Sequence, residues 1–193
     1  MKTRLILIYI LLFCFVKNDA QILIGAGYNR GYKSIYHEEG FFIETFIKNA
    51  LNVNFGYSNG KYNGVGMSSE INYLLLKKNL RPFLGISYSN NNGREGNFKS
   101  DNLTGKYKIS TNSFLHGKLG CSYLYFVKEP VNDLVIIVKL STGISYRSSL
   151  SNINITYIEG DRLPNAESVI RKRVENGFGF YVSISILFGK NKK

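Results

Sequence analysis

The sequence predicts an all-β protein: an eight-stranded antiparallel up-and-down transmembrane β-barrel behind a cleavable leader. Three observations predict it. An apolar run is confined to the first residues, eight later stretches alternate with period two, and the connections between them are short at one end and long at the other. Composition leans the same way. The 193 residues include 19 Gly, 14 Tyr and 13 Phe but only 3 Pro, and aromatic, proline-poor chains suit a pleated surface. The mean hydropathy of -0.10 is too low for a helical membrane protein. A barrel hides its apolar residues in alternation, where they cancel in any average.

Met1-Lys2-Thr3-Arg4 is a short basic start, and Leu5 to Val16 is an unbroken apolar run. A helix needs roughly 20 residues to span a bilayer, so this shorter run reads as the core of a signal peptide. Residues 1–20 are therefore expected to be removed after Asp19-Ala20, leaving Gln21 first. Bulky Phe13 before Cys14 argues against a lipoprotein junction. With Cys14 gone, Cys121 has no partner in its own chain and no internal disulfide can form. Loss of Lys2, Arg4, Lys17 and Asp19 takes the formal charge from +12 to +10. Such a basic surface suits anionic partners without choosing among them. The two histidines, His37 and His116, lie far apart, no metal-ligand spacing is present, and no cofactor is expected.

The eight segments follow in order. Ile22, Ile24, Ala26 and Tyr28 oppose Leu23, Gly25, Gly27 and Asn29. Phe41, Ile43, Thr45 and Ile47 oppose Phe42, Glu44, Phe46 and Lys48; Leu51, Val53, Phe55 and Tyr57 oppose Asn52, Asn54, Gly56 and Ser58. The fourth runs from Val65 to Leu75 with Glu70 and Asn72 on its polar side, and the fifth is the short Phe83–Tyr88 stretch. The sixth, Leu115–Tyr125, carries His116 and Lys118 on the polar side; the seventh, Leu134–Arg147, carries Lys139 and Arg147 there. The eighth alternates Phe178, Phe180, Val182, Ile184, Ile186 and Phe188 with Gly, Tyr and Ser. Side chains on a strand alternate faces, so each segment has one apolar and one small-or-polar side.

A soluble sandwich and a membrane barrel share this alternation with opposite senses. The polar side decides between them. It is Gly-, Ser- and Asn-rich, as a narrow lumen requires, not Lys-, Glu- and Thr-rich as a solvated sheet would be. Its charges are few and of both signs: Glu44, Glu70, Lys118, Lys139 and Arg147, which with His116 are expected to form an interior polar network. The apolar side carries no charge in this register, as hydrocarbon demands.

At one end the connections are about three to seven residues long: Lys48-Asn49-Ala50, Lys77 to Arg81, and Val127 to Asp133. At the other lie Gly31–Gly40, Asn59–Gly64, Asn90 to about Thr111 and Ser148 to about Asn176. Short periplasmic turns and long extracellular loops, with an even strand number, place both termini in the periplasm. Tyr28, Tyr57, Tyr88 and Tyr146 then fall near the outer rim, and Tyr73, Tyr123, Tyr125 and Phe188 near the inner one, as two aromatic girdles.

Over residues 21–189 the chain resembles the small outer-membrane β-barrel family of OmpA/OmpX-like domains, within the porin-like superfamily. The Ala20–Gln21 junction, the strand opening Arg81-Pro82-Phe83-Leu84-Gly85-Ile86-Ser87-Tyr88 and the closing strand Gly177–Phe188 carry the resemblance. It implies the outer membrane of a Gram-negative bacterium, outer-membrane lipids as neighbours, and the insertion machinery as a partner. Family members usually end on an aromatic residue. Here Phe188 is followed by Gly189, and residues 190–193 form a basic tail.

Chemistry is sparse. A deacylase-like site would place Ser two positions after the histidine of Phe114-Leu115-His116, where this chain has Lys118. His116 also faces the lumen, away from acyl chains, and His37 beside Glu38 and Glu39 reads as a solvated loop residue. Gly25-Ala26-Gly27 and Gly64-Val65-Gly66 lack the strand-to-helix setting of a phosphate loop. The loop from Asn90 to Lys108 reads as a mobile polar surface loop. Ile153, Ile155 and Tyr157 read as a strand extension, and Arg171, Lys172 and Arg173 as a surface anion contact. No element suits nucleic acid. The expectation is a non-enzymatic barrel acting through its extracellular loops in surface interaction, adhesion or envelope protection. A narrow pore is the alternative, and a lipid A acyl-modifying enzyme a more distant one.

Overall fold

The computed structural model describes residues 22–32, 38–47, 50–60, 64–76, 78–127 and 134–190. The expected signal peptide, His37, Lys48 and residues 191–193 of the basic tail lie outside them.

Eight strands close the predicted barrel: β1 (Ile22–Tyr32), β2 (Glu38–Ile47), β3 (Leu51–Gly60), β4 (Gly64–Leu74), β5 (Leu80–Asn91), β8 (Asn112–Val127), β9 (Leu134–Ser149) and β11 (Gly177–Lys190). Each pairs antiparallel with its neighbours, and β1 meets β11 with Ala26 opposite Ile186, so no edge is left open. The strands sit where period two places them. Their pleat sends Ile24, Ile43, Met67, Ile86, Leu119, Leu140 and Ile184 outward, all exposed, while Glu44, Asn52, Asn72, Ser87, Ser122 and Ser145 are buried inside. That polarity is the inverse of a water-soluble barrel. Following the pairing around the ring, Arg30 and Glu39 are, among the described residues, the charged ones at outward strand positions of the loop-bearing end. Of the expected girdle residues, Tyr57, Tyr73, Tyr123, Tyr125, Tyr146 and Phe188 are exposed outward, and Tyr28 and Tyr88 are half-buried.

Two features depart from the sequence expectation. The interior is not small and polar throughout. Leu23, Phe46, Leu74, Phe83, Leu124, Ile137 and Leu187 point inward at the short-turn end and pack, with Tyr181, into an apolar plug. Glycine makes the room. Gly120 and Gly143 face each other across β8 and β9, and a Cβ on either would come within 2.9 Å of the Tyr181 hydroxyl.

The second departure concerns the long loops. The expectation of a mobile loop from Asn90 to Lys108 is corrected: this stretch holds strands β6 (Arg94–Ser100) and β7 (Leu103–Ile109), a hairpin turning at Asp101, whose φ is 50°. Residues 155–160 form β10 (Ile155–Gly160), and it adds to β7, with Tyr157 opposite Tyr107, in a separate three-stranded sheet instead of extending a barrel strand. A helix, α1 (Ala166–Val174), follows. Ala166, Ile170 and Val174 recur every fourth residue, so one stripe of α1 is buried while Val169, Arg171 and Lys172 stay exposed. Sheet and helix enclose a second apolar core with Tyr107, Ile109, Ile153 and Leu163, to which the barrel strand β8 contributes Phe114.

Candidate functional site

A transmembrane strand needs about 9–11 residues to cross hydrocarbon, and β8 and β9 have 16 each, so both run past any bilayer crossing. The lumen they help to line is divided into three tiers, beginning with the apolar plug.

Above the plug lies a belt of charge. Lys139 donates to Glu44, and Lys118 to Glu70, in two ion pairs inside the barrel. Glu44 is 0% and Lys139 4% exposed. The amides of Asn52 and Asn72 join the pairs: Asn52 donates to Glu44, and Asn72 donates to Asn52 at 3.2 Å and to Glu70 at 2.6 Å. One connected network thus runs from Lys139 through Glu44, Asn52, Asn72 and Glu70 to Lys118, whose ammonium sits 4.7 Å from the Tyr181 ring centroid. A buried charge deprived of its partner costs several kcal/mol, and here each carboxylate meets a cation and an amide donor.

The upper tier holds His116 and Arg147, neighbours in the β8–β9 register. His116 Nε2 lies 3.1 Å from Ser89 Oγ, and its ring stands edge-on to Phe114. Ser89 is a serine the sequence reading passed over. It sits on the partner strand two residues from Ser87, which lies opposite His116, a proximity visible only once β5 and β8 are paired. Both side chains are buried. Arg147, 0% exposed, stacks on Phe114 with its guanidinium carbon 4.4 Å from the ring centroid, and donates to the Glu175 carbonyl from Nε at 3.3 Å and Nη2 at 3.0 Å. It ties the barrel mouth to the end of α1.

The cap above is a folded unit. Tyr107 meets Phe98 and Tyr157 edge-on, with centroids 5.8 and 5.6 Å away, and its hydroxyl accepts the Leu163 backbone N–H at 3.0 Å. Asp161 takes the Thr104 N–H at 3.0 Å and returns its own N–H to the Thr104 carbonyl at 3.0 Å. Gly93, at φ +76°, makes the left-handed step that lets the chain leave β5 for β6; a Cβ there would meet the Ile109 carbonyl oxygen at 2.2 Å. Arg171 and Lys172 are exposed on α1, and Arg171 pairs with Glu175 one turn on at 3.1 Å. The backbone of Arg173 follows them on the same helix. The six residues expected inside thus line one lumen, and the basic residues lie apart from them on the cap. Among the described residues no three His, Cys, Asp or Glu side chains are grouped to hold a metal ion.

No protein-family model matches the chain, and no curated protein matches it. Among solved structures it is similar to the N-terminal β-barrel domain of Pseudomonas aeruginosa OprF, at 13% identity and a TM-score of 0.47, over 88% of this chain and 96% of that one. It is also similar to a major outer membrane protein from Thermus thermophilus, at 14% identity and a TM-score of 0.46, over 89% of this chain and 99% of that one.

Proposed function

We propose that the chain is an integral outer-membrane β-barrel of a Gram-negative bacterium, with a sealed lumen, that acts through its folded extracellular cap. In this reading residues 1–20 are a removed signal peptide, residues 21–189, extended by Lys190 at the end of β11, are the barrel, and the residues that follow to 193 are a basic tail. Both termini are periplasmic. The role is surface interaction, adhesion or envelope protection, and Arg171, Lys172 and Arg173 are the anion-facing side of the cap. The observation that carries the membrane reading is the inverted polarity: an apolar exterior around a charged, hydrogen-bonded interior.

The test exploits a sign difference. Leu119, exposed on the outer face at the middle of β8, would tolerate arginine in a water-soluble protein, where surface substitutions stay within about 0.5 kcal/mol. In a bilayer Leu119→Arg is expected to destabilise the barrel by about 2–4 kcal/mol. Urea unfolding in lipid vesicles, read from heat-modifiable gel mobility, measures the difference. A neutral result, or a mature chain that is monomeric in water without detergent, sinks the reading.

A sealed lumen separates this proposal from a pore. The apolar plug and the ion-pair belt lie in series, so planar bilayers are expected to show no steady openings. Openings abolished by changing Lys139 or Glu70 would establish the pore instead. The proposal is also non-enzymatic. His116 and Ser89 are buried within the lumen, on the face opposite the apolar outer wall. Membranes bearing the protein should contain unmodified lipid A, and a lipid A change lost in His116→Ala would overturn this.

A further inference from the structure

The outer wall of the barrel is not uniformly convex. At Ala26 of β1 the outward side chain shrinks to a methyl group between Ile186 of β11 and Ile43 of β2, its register partners. The next outward row towards the cap is aromatic: Tyr28, Phe41 and Tyr57 lie opposite one another, and Phe41 protrudes with 70% exposure. The result is an open apolar groove of about 640 Å³ lying across these two rows from β11 to β4, with Phe55 on its β3 side. Directly above its aromatic mouth stand Arg30 and Glu39, opposite each other in register and the only charged residues at outward positions of the described barrel strands at that end. Glu39 accepts the Tyr28 hydroxyl at 2.9 Å, so the charged pair and the groove share a wall.

We propose that this groove binds an acyl chain of an anionic, phosphate-bearing lipid of the leaflet on the loop side, with Arg30 engaging the phosphate. The inference rests on the membrane reading above. A slot of this size, lined by apolar and aromatic side chains with a few polar groups at one end, has the make-up of a ligand site. Facing hydrocarbon, it offers an acyl chain walls on more than one side, and dispersion contacts grow with every such wall. At the mouth, a guanidinium carries five donors in a fork that matches phosphate, more than one partner in the protein can use. An arginine placed at the hydrocarbon edge, where lipid phosphates lie, is the charge complement of an anionic lipid.

The chain contains no tryptophan, so a single one can report from the groove. Phe55→Trp places it in the groove wall, and Leu119→Trp places it on β8, on the far side of the ring. Both variants are refolded into phosphatidylcholine vesicles containing a minority of phosphatidic acid with brominated acyl chains, which quench tryptophan on contact. Quenching at Phe55→Trp is expected to exceed that at Leu119→Trp by about twofold or more, as a modest preference free energy would give. Ala26→Leu, filling the floor, should bring the two to equality. Arg30→Gln should remove the advantage of brominated phosphatidic acid over brominated phosphatidylcholine. Equal quenching at the two positions in the parent background overturns the lipid site and leaves the membrane barrel standing. Absence of quenching at both overturns the membrane reading and the lipid site with it. A groove excess unaffected by Arg30→Gln overturns the phosphate contact.

Discussion

Replacing Lys139 with methionine is expected to destabilise the folded barrel by about 3–5 kcal/mol, the cost of leaving a buried charge without its counter-ion. Glu44 is wholly buried, and its Oε2 has no hydrogen-bond partner among the described residues. Without the ammonium it retains the Asn52 amide as its donor in the belt. The double variant Lys139→Met, Glu44→Gln removes both charges and should recover most of the loss, because a neutral amide tolerates the same hydrogen bond at little desolvation cost. Urea midpoints in vesicles give the four corners of a double-mutant cycle. A single variant as stable as the parent, or a double variant no better than the single, would show that the pair does not carry the stability assigned to it. The cycle also bears on transport: Lys139→Met removes one seal and leaves the apolar plug, so conductance should stay closed while stability falls.

The eight barrel strands were legible because each face of a strand is written in every second residue, and a closed barrel imposes one sense on all eight. The identity of the interior charges was legible for the same reason. Their partners were not. Glu44 and Lys139 are 95 residues apart, and barrel closure alone decides that Lys139 reaches Glu44 while Lys118 reaches Glu70. The plug was written in the sequence but not weighed there: Phe46, Leu74 and Phe83 already stood on the polar side of their segments. The cap was the larger omission, and its cause is compositional. Strand β7 carries Gly105, Tyr107 and Ile109 against Thr104, Lys106 and Lys108, too short an alternation to stand out among Asn, Gly and Lys. Helix α1 carries its buried apolar residues only at Ala166, Ile170 and Val174, with Arg171-Lys172-Arg173 between, so its charges were read and its stripe was not. Neither segment buries anything alone. Each acquires a core only when two loops separated by strands β8 and β9 meet, as the bond from Leu163 to Tyr107, 56 residues apart, records.

That dependence yields the second large effect. Tyr107→Ala should unfold the cap while leaving the barrel intact. The side chain is 1% exposed, sits between the rings of Phe98 and Tyr157, and holds the Leu163 N–H. Truncating a buried aromatic costs about 3–5 kcal/mol, comparable to everything a unit of this size can muster from a small core. The ion pairs around it will not compensate: Lys106 with Glu159 at 3.1 Å and with Glu95 at 3.9 Å are solvent-accessible, and such pairs contribute at most about 1 kcal/mol. Protease added outside vesicles or cells should therefore cleave Tyr107→Ala between residues 94 and 109 or 150 and 176, while the parent resists and both keep heat-modifiable mobility. Tyr107→Phe keeps the rings and loses only the hydroxyl, so it should stay resistant. Arg147→Met separates cap folding from cap docking: it removes the donors to Glu175 and the stacking on Phe114 but leaves Tyr107 in place. Cleavage there should fall at the Glu175 junction and not within β6 and β7. If Tyr107→Ala proves as resistant as the parent, the cap does not depend on this core for its folding; a parent that is itself cleaved within these segments would return surface function to flexible loops.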